Sequence, residues 1–369
     1  MKLMFRIVSF LCLSAILLTS CAENKQEESS ESKETSDSSS ETGTEETTES
    51  TTAEKTEPPT PDYYFEFTLR DDGTYSIALK NTSVPTEIII PATYNGTPVT
   101  AIADHGFFCK MQLETVVISE GITEIGENAF SGCTNLVSVK LPKSLLYINE
   151  GAFSSCRKLA NILLHENIEY IGMNAFYDLP SLDDTAYGGA SYLGCAENNY
   201  VILIKAQSED ITECDIPAQT KWIYDSAFTA CTRLSKITLP DGLRGIGRDA
   251  FRSCDALTAI EIPDNVHYLG TTAFVGCDSL ENVSIGNGID TLSYTFTECK
   301  KLRVVHVGNH VSTIENAFEN CISLTSVTFA CENGWYTADG IPIDVSDAYE
   351  NAVNLQKEFT IWKDFSIIE

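Results

Sequence analysis

Apolar side chains fall into fixed columns along most of this chain. One stretch reads Ile125, then Ala129-Phe130, then Cys133, then Leu136-x-x-Val139-x-Leu141-Pro142. The Phe recurs at 130, 153, 176, 228, 251, 274, 296 and 318, with gaps of 23, 23, 52, 23, 23, 22 and 22 residues. The second half of each unit alternates branched and polar residues, as in Leu234/Ile237/Leu239, Leu257/Ile260/Ile262 and Leu302/Val305/Val307. Period-two alternation marks a strand buried on one face. Pro142, Pro240 and Pro263 then end the strand, because proline lacks the ladder donor. An aliphatic residue precedes the Phe by five positions, or by four in the last two units. Each unit is therefore a short strand, a turn and a tight return carrying Ala-Phe. No unit can bury its own apolar face, so the units must stack into a solenoid.

The pattern also shows where the solenoid starts, breaks and stops. Gly106-Phe107 opens the first coil irregularly, with Cys109 one place early, as expected at a solenoid end. Before it, residues 62–101 read as a β cap: Tyr64–Phe67 and Tyr75–Leu79 flank Asp71-Asp72-Gly73, and Asn95-Gly96 is a tight-turn signal. The 52-residue gap holds one coil plus 29 extra residues. Leu182 keeps the Leu column, and Ile211-x-x-Cys214-x-Ile216-Pro217 supplies the strand. The insert, about 183–210, carries Tyr192-Leu193-Gly194 and Tyr200–Ile204, which predict a hairpin projecting from the solenoid. It is either part of a binding face or a flap packed on its own coil. Residues 331–369 read as a closing cap, with a short helix from Asp347 to about Lys357 and a strand over Phe359–Trp362. Such caps cover strand edges that would otherwise template aggregation.

The columns resemble the BspA-like (TpLRR-type) leucine-rich repeat of bacterial and protist surface proteins, over about residues 102–330 and nine coils. The resemblance implies a mainly β, curved, parallel-sheet solenoid. It also implies adhesion or ligand capture, with no catalytic residues to carry over.

The N-terminus is an address. Lys2 and Arg6 precede an apolar run, Ile7–Leu18, too short to span a bilayer comfortably. This reads as a signal peptide over residues 1–20. Leu18-Thr19-Ser20-Cys21 resembles the bacterial lipobox, which implies cleavage before Cys21 and a diacylglycerol on its sulfur. Residues 22–61 hold 12 acids and 3 bases among Ser and Thr, too little apolar surface to offset ordering entropy. They predict a tether whose forty residues reach about 35 Å. Anchored this way, the protein would face outward from the cell membrane.

The net charge of -29 argues against nucleic acid, whose binding depends on clustered Lys and Arg. It favours cationic partners. Thirteen cysteines in an exported chain would suggest disulfides. Seven of them, however, share one column: Cys133, Cys156, Cys231, Cys254, Cys277, Cys299 and Cys321. Leu179 replaces the Cys in the interrupted coil, so the column reads as buried, packed thiols, with disulfides or metal as the competing reading. Cys195 and Cys331 lie outside it and are the candidates for oxidation. His105, His165, His267, His306 and His310 make no metal spacing and no nucleophile motif. Asp339, Asp344 and Asp347 do not match a calcium loop. No catalytic residue, metal or cofactor is expected.

Residues between the inward strand positions should line the sheet's outer, concave face. The candidates for ligand contact there are Lys140, Asn161, Glu213, Asp215, Lys236, Glu261, Asn282 and His306. The expected function is a monomeric surface lipoprotein binding protein or extracellular matrix. The competing readings are a wall- or glycan-directed hydrolase and a surface spacer without a ligand.

Overall fold

A computed structural model describes residues 59–80, 85–331, 334–357 and 361–364. The predicted signal peptide, Cys21 and most of the tether lie outside the described residues. The described chain is a mainly β solenoid. Its first row of parallel strands holds the alternating segments. Glu87–Ile90, Thr115–Ile118, Ser138–Lys140 and Asn161–Ile162 pair one coil to the next. After the insert the row resumes as Glu213–Cys214 with Lys236–Ile237. It continues as Ala259–Ile262, Asn282–Ile285, Val304–Val307 and Ser326–Phe329. The register follows the period: Val116 faces Val139, and Ile260 faces Val283.

A second parallel row is built on the aliphatic column before the Phe. It runs through Thr97–Ile102, Glu124–Ile125, Tyr147–Ile148 and Tyr170–Ile171. Beyond the insert it runs through Trp222–Ile223, Gly245–Ile246 and Tyr268–Leu269. These strands are mostly two residues long, so one aliphatic residue per coil is all the sequence shows of them. Close approach between coils explains the glycines that often follow. A Cβ on Gly172 would sit 2.3 Å from the Glu150 nitrogen, and one on Gly270 2.3 Å from the Arg248 nitrogen.

The return segment is held by a different device. Phe130 is flanked two residues either side by left-handed backbone, at Asn128 (φ 51) and Gly132 (φ 74). The same flanks recur around Phe251 at Asp249 and Ser253. Left-handed non-glycine residues are disfavoured by about 1–2 kcal/mol each. Here the geometry turns amides toward the next coil, as in Phe130 N to Ala152 O at 2.8 Å and Phe251 N to Ala273 O at 2.7 Å. The Phe rings stack in two files. Successive centroids lie 4.9, 5.3 and 6.0 Å apart from Phe107 to Phe176, and 5.1, 5.0, 5.3 and 5.7 Å apart from Phe228 to Phe318.

The cysteine column lines the same core. All seven thiols are buried, and no disulfide forms among the described residues. Six of the seven thiols donate to the carbonyl of the Phe one coil earlier. Examples are Cys133 to Phe107, Cys156 to Phe130, Cys277 to Phe251 and Cys321 to Phe296, all at 3.1 Å. Cys231 follows the insert and has no such Phe, so it reaches Ser208 O at 3.9 Å instead.

The ends are covered as the chemistry requires. Phe65–Leu69 and Tyr75–Leu79 form an antiparallel hairpin that continues the second row. At the other end, helix Ala348–Leu355 starts at Asp347, whose carboxylate accepts from the amides of Tyr349 and Glu350. Strand Ile361–Asp364 then pairs antiparallel with Thr313–Glu315 and with Trp335–Thr337, a strand the sequence pattern does not announce.

The insert departs from expectation. Its strands Ala190–Leu193 and Ile202–Ala206 do pair as a hairpin, joined by Thr185–Tyr187. It does not project. Ile202 and Leu203 pair in parallel with Trp222 and Ile223, so the insert becomes a surrogate strand of the second row. Ala190–Leu193 is buried along its whole length. Tyr192 and Leu203 pack into the core after the insert, while Leu193, Val201 and Ile202 pack into the core before it. Burying four consecutive residues on both faces is what keeps the hairpin in the wall.

Candidate functional site

The outer face of the first row is built by the same alternation that builds the core. Val139, Ile162, Cys214, Ile237, Ile260, Val283 and Val305 point inward and are buried. Their neighbours Lys140, Asn161, Glu213, Asp215, Lys236, Glu261, Asn282 and His306 are all exposed. The structure does not gather these eight into one site. Glu213, Asp215 and Lys236 line a groove of about 870 Å³. Glu261, Asn282 and His306 line a second groove of about 490 Å³ on the same face, and the two meet at Thr238, Leu239 and Asp241. Lys140 and Asn161 sit on the strands before the insert and line neither groove.

The insert supplies the rim. Its Gly188-Gly189 turn closes one side of the larger groove. Gly188 and Gly189 both have positive φ, and a Cβ on Gly188 would lie 2.2 Å from Asp215 O. Tyr187 donates its hydroxyl to Asp215 Oδ2 at 3.3 Å. The Asp215 charge raises the Tyr187 hydroxyl pKa above its ordinary value, so the phenol stays a donor. Sequence spacing missed Gly188, Gly189 and Asp241. The first two stand some 25 residues from the strand they border, and Asp241 follows Pro240 in a turn outside the alternation. The grooves hold Glu213, Asp215, Asp241 and Glu261 against Lys236, so their chemistry suits a basic ligand.

The groove stands over the break in the solenoid, where side chains replace the backbone ladder. Between regular coils the Phe amide bonds to the carbonyl just before the next Phe, an Ala in all but one case, but Phe176 N donates to Tyr224 Oη at 2.8 Å. Asp225 accepts from Asn174 N and from Arg248 N, both at 2.8 Å. Burial raises the Asp225 pKa, while these two amides pull it back down. Arg244 reaches back to Glu166 O at 2.9 Å and Ile168 O at 2.8 Å. Trp222 lies across Gly245, where a Cβ would be 2.1 Å from its ring, and so meets Tyr268 and Tyr170. These contacts join the coils before the insert directly to the coils after it.

Three further groups come together on the far turn of the insert. The ligating atoms of His165, Cys195 and Glu197 all lie within 4.8 Å of one another. The histidines make no metal spacing along the sequence, yet in space His165 meets Cys195 and Glu197. No helix among the described residues is long and apolar enough to cross a membrane.

A family model described as BspA type Leucine rich repeat region matches residues 78–189 and 206–325 in six copies. Among solved structures, the chain is similar to a leucine-rich repeat protein of T. pallidum. Identity is 21%, covering 72% of this chain and 91% of that one, with a TM-score of 0.26. It is similar to a leucine-rich repeat protein of Bacteroides ovatus at 24% identity, covering 73% and 70%, with a TM-score of 0.36. It is also similar to a leucine rich cell surface protein of Faecalibacterium prausnitzii at 22% identity, covering 76% and 96%, with a TM-score of 0.30. Comparison with curated proteins found no match.

Proposed function

The chain belongs to the BspA-type leucine-rich repeat family, and from that premise we propose that it is an exported, lipid-anchored protein whose solenoid binds a protein or matrix ligand. Proteins of this repeat class are binding scaffolds rather than enzymes. The observation that carries the reading is the convergence of two independent parts of the chain on one face. The outer strand positions Glu213, Asp215 and Lys236 and the insert turn Gly188-Gly189 border the same open groove. Insertions in a repeat array tend to gather on the binding face.

The ligand we assign is a basic segment of a protein. The groove's acids are exposed and carry no matching set of bases, and the chain's net charge of -29 draws such a partner in. Attachment is assigned to Cys21 through the lipobox-like Leu18-Thr19-Ser20-Cys21, with residues 22–61 as a spacer and residues 62–369 as the displayed part. One acyl chain holds weakly, but each buried methylene adds about 0.8 kcal/mol, so several chains hold firmly.

Two experiments test this. The protein is passed over an array of immobilised matrix proteins, where saturable binding is expected. An array with no binder would overturn the adhesive role. A Cys21→Ala protein should leave the membrane fraction for the soluble one, and its retention in the membrane would overturn the anchor.

A further inference from the structure

The far turn of the insert is built to a pattern that the groove does not explain. Residues 195–198 form a reciprocally bonded turn, with Cys195 N to Asn198 O at 2.8 Å and Asn198 N to Cys195 O at 3.1 Å. The Asn198 side chain is nearly buried; it donates to Gln219 O at 3.3 Å and accepts from Tyr200 N at 3.0 Å. A Cβ on Gly194 would sit 2.0 Å from Asn198 O, so glycine is required for the turn to close. Leu164 N donates to Gly194 O at 3.1 Å and seats the turn beside the next residue of its coil, His165. The outcome is an imidazole, a buried thiol and an exposed carboxylate with ligating atoms within 4.8 Å of one another.

We propose that His165, Cys195 and Glu197 bind one zinc ion that clasps the insert to the coil before it. The donor set excludes hard cations and suits zinc. Zinc takes sulfur, imidazole nitrogen and carboxylate oxygen together, in tetrahedral sites with bonds of about 2.0–2.3 Å. Calcium and magnesium demand oxygen. Three protein ligands leave a fourth position for water, on the solvent side marked by exposed Glu197. Binding displaces the Cys195 thiol proton to solvent, and the ligand is the thiolate. Lys143 Nζ stands 3.4 Å from Glu197 Oε1, but both side chains are about two-thirds exposed, so this pair yields readily to a divalent ion. The insert would then be fixed at both ends, by zinc at residues 195–197 and by Asp215 at Tyr187.

The test is a titration of the chelator-treated full chain with zinc against a chromophoric indicator. One equivalent should bind tightly. Loss of an outer-sphere partner lowers metal affinity by about 10- to 100-fold, so loss of a ligand in His165→Ala or Cys195→Ser should weaken binding by at least that. Cobalt in place of zinc should give a sulfur-to-metal charge-transfer band that Cys195→Ser abolishes. His165 is only half-buried, and a circular dichroism spectrum like that of the parent separates lost binding from lost fold. A parent chain that binds no zinc would overturn the site. So would folded His165→Ala and Cys195→Ser proteins that bind as tightly as the parent.

Discussion

Cys254 combines three properties that keep its column small and apolar yet not alanine. It is wholly buried, it lies beside the Phe file, and its thiol donates to Phe228 O at 3.2 Å. Alanine would forfeit both the sulfur's packing and a partner for that carbonyl, so Cys254→Ala should cost about 1–3 kcal/mol in denaturant unfolding. Phe274→Ala, at the centre of the longer file, should cost about 3–5 kcal/mol by the same assay. Burial also pushes the Cys231 thiol from its ordinary 9.0 up to about 11. The fold therefore favours the neutral form, so its contribution is fully present below about pH 9 and is lost as pH rises through 11. Denaturation midpoints should hold steady from pH 7 to 9 and fall by pH 11, and a midpoint that rises would contradict this. The burial of the column is legible in the sequence, because Leu179 stands in for a cysteine. The thiol-to-carbonyl bond is not, because spacing fixes a position and not a direction.

Tyr224 and Asp225 do for one coil what the backbone does for the rest. They hold the amides of Phe176 and Asn174 across the 52-residue gap, and Asp225 also holds the amide of Arg248 in the next coil. An orphaned buried amide costs about 1–3 kcal/mol, so Tyr224→Phe should destabilise by that amount, and Asp225→Ala, whose two amide partners are exposed, by about 1 kcal/mol. Stacked repeats unfold together only while their interfaces hold. The Asp225→Ala protein should therefore show two denaturation transitions where the parent shows one, and a single unshifted transition would refute the bridging role. The strands of the insert are readable from Tyr192–Gly194 and Tyr200–Ile204, but their place in the wall is not. That place depends on Ile202 and Leu203 pairing with Trp222 and Ile223 and on Ala190–Leu193 being buried on both faces, which no local pattern signals. The second row is hidden for a related reason, since two-residue strands show no alternation.

At the scale of the molecule, the solenoid turns a one-dimensional repeat into a long face whose outer residues vary freely. The period specifies which residues face outward, and it does so from Thr115 to Thr328. It does not say which of them cooperate. The break separates Lys140 and Asn161 from the grooves, while the insert brings Gly188 and Gly189 in from outside the repeat. Because the groove acids are exposed, their pull on a basic ligand should be screened by salt. Raising ionic strength from 0.05 to 0.5 M should slow association more than it speeds dissociation, as surface plasmon resonance would report.

The central claim is that the strand face beside the insert is the binding surface. The most direct measurement compares the parent chain with a Glu213→Ala, Asp215→Ala, Lys236→Ala, Glu261→Ala protein for affinity to the matrix protein it binds best on the array. All four positions are exposed, so the fold should persist. The prediction is a loss of affinity of about tenfold or more, for a change of at least about 1.4 kcal/mol. A correctly folded four-site protein that binds as tightly as the parent would contradict it.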